Sequence, residues 1–167
     1  GKNIVIRGLH FAKAGYSSMN DFAAIKIIDA TNILIEGNVI SNASFAIHIA
    51  NSTYSHIRNN TINGPYKSEH SSGNGIHLWK CESMTIEGNT IRGHRDGIYL
   101  EFVTKSTIRK NRSEQNIRYG LHFMFSPDNA YLGNTFRKNG AGVAVMYSKN
   151  VRMEQNIFEE NWGASAY

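Results

Sequence analysis

Ile35-Glu36-Gly37-Asn38-Val39-Ile40 returns as Ile57-Arg58-Asn59-Asn60-Thr61-Ile62 and again as Ile86-Glu87-Gly88-Asn89-Thr90-Ile91. Weaker copies centre on Asn111, Asn134 and Asn156, and a first copy carries Leu9 at the Asn position. From Leu9 onward the intervals are 29, 22, 29, 22, 23 and 22 residues. A second motif keeps step with the first: Ala46-Ile47-His48-Ile49, Gly75-Ile76-His77-Leu78, Gly97-Ile98-Tyr99-Leu100, Gly120-Leu121-His122-Phe123 and Gly142-Val143-Ala144-Val145. Two motifs locked to one period across a chain identify a repeat architecture.

Each unit holds short alternating apolar segments divided by Gly and Asn, too short for helices and right for strands. A period near 22 with three short strands per turn predicts an all-β, single-stranded solenoid, a parallel β-helix of about seven coils. Leucine-rich repeats share the period but need a Leu pattern absent here. Strands are expected around Ile33–Ile35, Ser55–Ile57, Met84–Ile86, Thr107–Ile108 and Val151–Met153. Asn38, Asn60, Asn89, Asn111, Asn134 and Asn156 should stack at one corner as an Asn ladder. Two reasons favour Asn there: it tolerates left-handed turns, and stacked amides hydrogen-bond from coil to coil. The two 29-residue coils place their extra residues near 12–19 and 65–72, so two loops should emerge on one side, bearing Gly15, Tyr16, Tyr66 and His70. Residues 1–167 read as a single domain, a piece of a longer solenoid whose raw sheet edges would otherwise be bare.

Composition agrees with a soluble, ordered chain. The 167 residues are 41% hydrophobic and 19% charged, with 15 Gly and 2 Pro, which excludes collagen, coiled coil and disorder. No apolar run reaches the ~18 residues a membrane span needs. The lone Cys81 cannot form an internal disulfide and reads as a structural thiol. The net charge of +5 would suit an acidic partner or polyanion, but it is scattered rather than clustered, and no nucleic-acid partner is expected. No phosphate loop, serine-hydrolase elbow or zinc pattern is present. His94-Arg95-Asp96 reads as a local turn-stabilising ion pair.

In Gly-Ile-His-Leu the Ile and Leu face the core, so the residue between them faces out. Stacked in register, these residues make one outward column, Lys26, His48, His77, Tyr99, His122 and Ala144. Two positions along the strand lies another, Ile28, Ala50, Trp79, Glu101, Met124 and Met146. Such rings can pack against a covering loop or a partner chain, and Met on a sheet face is often a packing residue. His122, Met124 and Met146 nevertheless combine one imidazole with two thioethers, a soft donor set suited to Cu(I) and poor for Mg²⁺ or Ca²⁺. These three are the candidate metal ligands, expected on one partly accessible patch. Tyr99, Glu101, Trp79, His77 and His48 are candidates for supporting the ligands or touching a partner.

Arg118-Tyr119-Gly120-Leu121-His122-Phe123-Met124-Phe125-Ser126, Gly140–Ser148 and Asn161–Tyr167 carry a resemblance to the NosD family, and Asn74–Trp79 and Gly93–Ile98 fit it too. The family also falls within the wider group of carbohydrate-binding and sugar-hydrolase β-helices. The resemblance implies a right-handed parallel β-helix in the periplasm, working with the membrane permease of an ABC transporter. It implies a non-enzymatic role, receiving copper from a lipoprotein chaperone and passing it to nitrous oxide reductase during that enzyme's maturation. The family's His-x-Met strand falls on His122 and Met124, and its Met-Tyr-Ser strand on Met146. The alternative is a polysaccharide-binding module, lyase or epimerase of the same fold. Such sites need outward carboxylate clusters, and the two columns hold only Glu101.

Overall fold

A computed structural model describes residues 1–14 and 22–162. The expected 12–19 insertion, with Gly15 and Tyr16, and the stretch 163–167 therefore lie largely outside the described residues. Parallel pairing generates three sheets, of seven, seven and six strands. The first runs from Lys2–Arg7 through Thr31–Glu36 to Val151–Glu154, and the second from His10–Ala12 to Ile157–Glu159. The third stacks Ala23–Ile28, Phe45–Ala50, Ile76–Trp79, Asp96–Glu101, Tyr119–Met124 and Ala141–Met146. Among the described residues this makes six complete coils and two strands of a seventh, rather than seven full coils. The expected strand positions are occupied, although Ser55 and Met84 sit just before the strands His56–Arg58 and Thr85–Glu87.

The interior is one continuous apolar cluster built from columns. Ile35, Ile57, Ile86 and Ile108 line the first sheet, and Ile40, Ile62 and Ile91 the second. Ile47, Ile76, Ile98, Leu121 and Val143 line the third. Each such side chain withdrawn from water contributes about 1.5–3 kcal/mol toward offsetting chain entropy. Lower coils carry larger rings, Phe123, Tyr131 and Phe136, against the same inner surface.

Asn38, Asn60, Asn89, Asn111, Asn134 and Asn156 do align. Each amide nitrogen donates to the next amide oxygen at 3.0 Å. It also donates to a backbone carbonyl of the first sheet, as Asn89 does to Ile57 at 2.9 Å. The receiving oxygen takes a second bond from a backbone N–H, Asn60 to Asn89 at 3.0 Å. Two donors and two acceptor sites are thus filled at each interior rung. The left-handed role belongs one residue earlier than expected: Gly37, Asn59, Gly88, Lys110, Gly133 and Gln155 have φ between 53° and 65°, whereas the ladder residues do not. The ladder Asn is chosen for its inward amide alone. A second ladder, Asn116 to Asn139 to Asn161, bonded at 2.9 and 3.3 Å, runs at another corner.

Replacing Asn89 by Leu should destabilise the fold by about 1–3 kcal/mol, because four buried polar partners lose their match. The same change at Asn156, a half-buried end rung, should cost less. Urea unfolding of both variants checks this ordering.

Candidate functional site

The third sheet's outer face carries both predicted columns in the predicted register. His48 pairs with His77, His77 with Tyr99, Tyr99 with His122, and His122 with Ala144. Two residues on, Trp79 pairs with Glu101, Glu101 with Met124, and Met124 with Met146. Rings in the first column follow one another in tilted and edge-to-face contact, with centroids 4.7, 4.7 and 5.0 Å apart from His48 to His122. Leu121 and Phe123 are fully buried beneath them, so the strand alternation holds. His122, Met124 and Met146 therefore share one face.

Accessibility differs from expectation. Met124 and Met146 are half-buried, but His122 is only 2% exposed. It points away from the core yet lies between the rings of Tyr99 and Tyr119, 5.0 and 4.9 Å away. Arg118 closes over it, and the 65–72 insertion reaches the same place: Glu69 lies 3.7 Å from Arg118.

Beneath that cover is a charge cluster absent from the sequence reading. Asp96 is fully buried, and Arg118 grips both its oxygens, Nε at 3.1 Å and Nη2 at 2.9 Å. His122 Nδ1 lies 3.1 Å from Asp96 Oδ2. Burial works against the Asp96 carboxylate, but the bonds from His122 and Arg118 outweigh it and hold its pKa below the usual carboxylate value. The expected local pairing within His94-Arg95-Asp96 is replaced by this contact to the next coil. His94 is buried, with Nε2 3.1 Å from the Ala43 carbonyl, and its backbone N–H caps the second Asn ladder. The missed signal was Arg118, one coil step of 22 residues after Asp96.

Tyr99 hydrogen-bonds Glu101, and burial together with that neighbouring charge pushes its phenol up to about 12. Trp79, 37% exposed, holds the Lys80 ammonium 4.4 Å from its ring and borders an open groove with Lys26, His48, His77 and Glu101. Immediately after the second column, Phe102, Phe125 and Tyr147 occupy left-handed corners and stack at 5.3 and 5.0 Å, all exposed. Their recurrence every 22 or 23 residues is the sequence signal that marks this stack. Cys81 is buried and free, its thiol pushed up by burial, as a structural role requires.

Whether copper suits this face turns on His122 Nε2, which is buried and meets no hydrogen-bond partner among the described residues. A donor nitrogen left in that state, on the sheet face that also carries two thioethers in register, fits a soft cation. No cluster of three or more His, Cys, Asp or Glu suited to a metal occurs among the described residues.

The sequence profile of the family described as "Periplasmic copper-binding protein (NosD)" matches residues 63–167. The chain belongs to the NosD family. The match takes in His77, Trp79, Tyr99, Glu101, His122, Met124 and Met146, and leaves His48 outside. No curated protein sequence matches significantly. Solved structures of the same architecture include a double mutant of the periplasmic alginate epimerase AlgG, 18% identical with a TM-score of 0.77, over 94% of this chain and 36% of that one. DFA-IIIase from Arthrobacter chlorophenolicus A6 in complex with GF2 is 17% identical with a TM-score of 0.69, over 80% and 35%. At such identities the likeness is one of fold, and this NosD-family chain spans about a third of those two longer chains. No helix among the described residues is long and apolar enough to cross a membrane.

Burial also sets an acid response. His77 is pushed down to about 3, chiefly by burial and then by His48 and Arg95, while burial pushes His94 down to about 4. The unfolded chain protonates both near 6.5, so below that pH the unfolded state binds more protons and stability falls. The urea midpoint should drop from pH 7 to pH 5, and His77→Gln should flatten the slope. An unchanged midpoint across that range would contradict the burial of neutral rings.

Proposed function

We propose that this NosD-family chain handles Cu(I) as cargo in the periplasm, holding it with His122, Met124 and Met146. The supporting observation is the pairing of Met124 with Met146 on the face where His122 Nε2 meets no hydrogen-bond partner among the described residues. Thioethers and a neutral imidazole bind Cu(I) without adding charge, so the ion is held softly enough to be passed on. Tyr99 and Glu101 border the site from the coil above. The exposed Trp79 and the Phe102, Phe125 and Tyr147 stack frame it with surface a protein partner can dock on. On this reading a lipoprotein chaperone delivers copper, nitrous oxide reductase receives it, and the chain works beside the permease of an ABC transporter. It performs no catalysis itself.

The glycan alternative draws on the fold neighbours and on the Trp79 groove. It is weaker because Asp96, the carboxylate that pairs with a histidine among the described residues, is fully buried and gripped by Arg118, so it is not presented to a sugar ring.

Anaerobic titration of Cu(I) against a competing chelator tests the proposal. Changing both Met124 and Met146 to Leu keeps volume and apolarity, so folding should survive while affinity falls about tenfold or more, or about 1.4 kcal/mol. A double variant that binds as tightly as wild type places the site elsewhere. A wild-type chain that never competes for copper but binds an acidic oligosaccharide favours the alternative.

A further inference from the structure

His77 and His122 stand in one column, two coils apart, yet their ring nitrogens are committed in opposite ways. Asn74 Oδ1 accepts the Asp96 backbone N–H at 3.3 Å, which leaves the Asn74 amide nitrogen, a donor, 3.2 Å from His77 Nδ1. His77 Nδ1 must therefore accept, and its ring proton sits on Nε2. At His122 the neighbour is an acceptor instead. Asp96 has both oxygens gripped by the Arg118 guanidinium, the fork arrangement that favours an ionised carboxylate. A carboxylate without a proton can only accept, so His122 Nδ1, 3.1 Å from Oδ2, donates. Arg118 Nη2 also approaches His122 Nδ1 at 3.4 Å, but its shorter bond, 2.9 Å, goes to Asp96. The His122 proton is thus held on Nδ1, and the lone pair is left on Nε2, the buried atom with no hydrogen-bond partner among the described residues.

We infer that Asp96 is a positioning residue of the copper face: it fixes His122 as the Nδ1–H tautomer and makes Nε2 the donor atom, while Arg118 keeps Asp96 in place. This rests on the copper reading above and deepens it. A ligating imidazole is commonly oriented by a carboxylate on its other nitrogen, and loss of that partner weakens metal binding by about 10–100-fold. The same logic excludes His77 as an equivalent donor, because its Nε2 carries a proton. It also explains a costly arrangement. A carboxylate buried in an ion pair, as Asp96 is beneath the partly exposed Arg118, adds little to stability by itself, whereas a fixed imidazole tautomer gives it a use.

Nitrogen NMR of the histidine rings in the copper-free chain tests the tautomers, and chelator competition tests the consequence. Wild type should show His122 as Nδ1–H and His77 as Nε2–H. Asp96→Asn can turn an amide N–H toward His122 Nδ1, so the proton should shift to Nε2 and Cu(I) affinity should fall about 10–100-fold. Changing Met124 and Met146 to Leu should weaken copper binding and leave the His122 tautomer untouched. A wild-type His122 protonated on Nε2 overturns the inference, and this readout needs no variant to fold. A folded Asp96→Asn variant with wild-type affinity overturns the inference while leaving the copper reading intact. A wild-type chain with the expected tautomers that takes up no Cu(I) overturns the copper reading, and this inference with it.

Discussion

Coil register governs everything else in this molecule. A slip of one residue would send every core isoleucine to the surface, and a slip along the coil would misalign each column. The Asn ladder opposes both, because its amides are satisfied only when each rung lies directly over the next. An interior amide out of step would leave buried donors and acceptors without partners in a medium that punishes them. The apolar columns supply the driving force, and the ladder supplies the uniqueness.

Fixed register turns a one-dimensional sequence into a surface with addresses. Residues 22 or 23 apart become neighbours at strand spacing, about 4.8 Å. Two thioethers can thus be paired without any local motif joining them, as Met124 and Met146 are. The same step places Asp96 over Arg118 and beside His122, so a charged cluster forms between coils. The longer coil then bends its extra residues back over that cluster through Glu69 and Arg118. The proposed donors, the groups that orient them and their cover therefore come from neighbouring coils, joined by register rather than by any local motif.

The fold was readable because periodicity reports directly on stacking. Ile35, Ile57 and Ile86 recur with the Asn motif at one period, and they pair strand to strand as coil stacking requires. The outward columns followed from alternation, and both registers hold in the structure. Alternation also set the limit of that reading. Counted back from Ile98, Asp96 should face inward, but the strand's first residues depart from strict alternation at Gly97. A Cβ there would strike the Ser113 hydroxyl and the Gly120 carbonyl. The Asp96 side chain accordingly reaches Arg118 and His122, a contact that alternation cannot foresee. The cover over His122 was hidden for a related reason: pattern shows which way a side chain points, not what folds back over it. The left-handed corners, misplaced by one residue, belong to positions as varied as Gly37, Lys110 and Gln155, which share no composition signal.

The most direct measurement is the X-ray absorption spectrum of the chain loaded anaerobically with one equivalent of Cu(I). Two sulfur neighbours and one imidazole nitrogen around the metal are expected if Met124, Met146 and His122 hold the ion. A coordination shell of nitrogen and oxygen alone, without sulfur, would contradict the assignment of this face as the copper site.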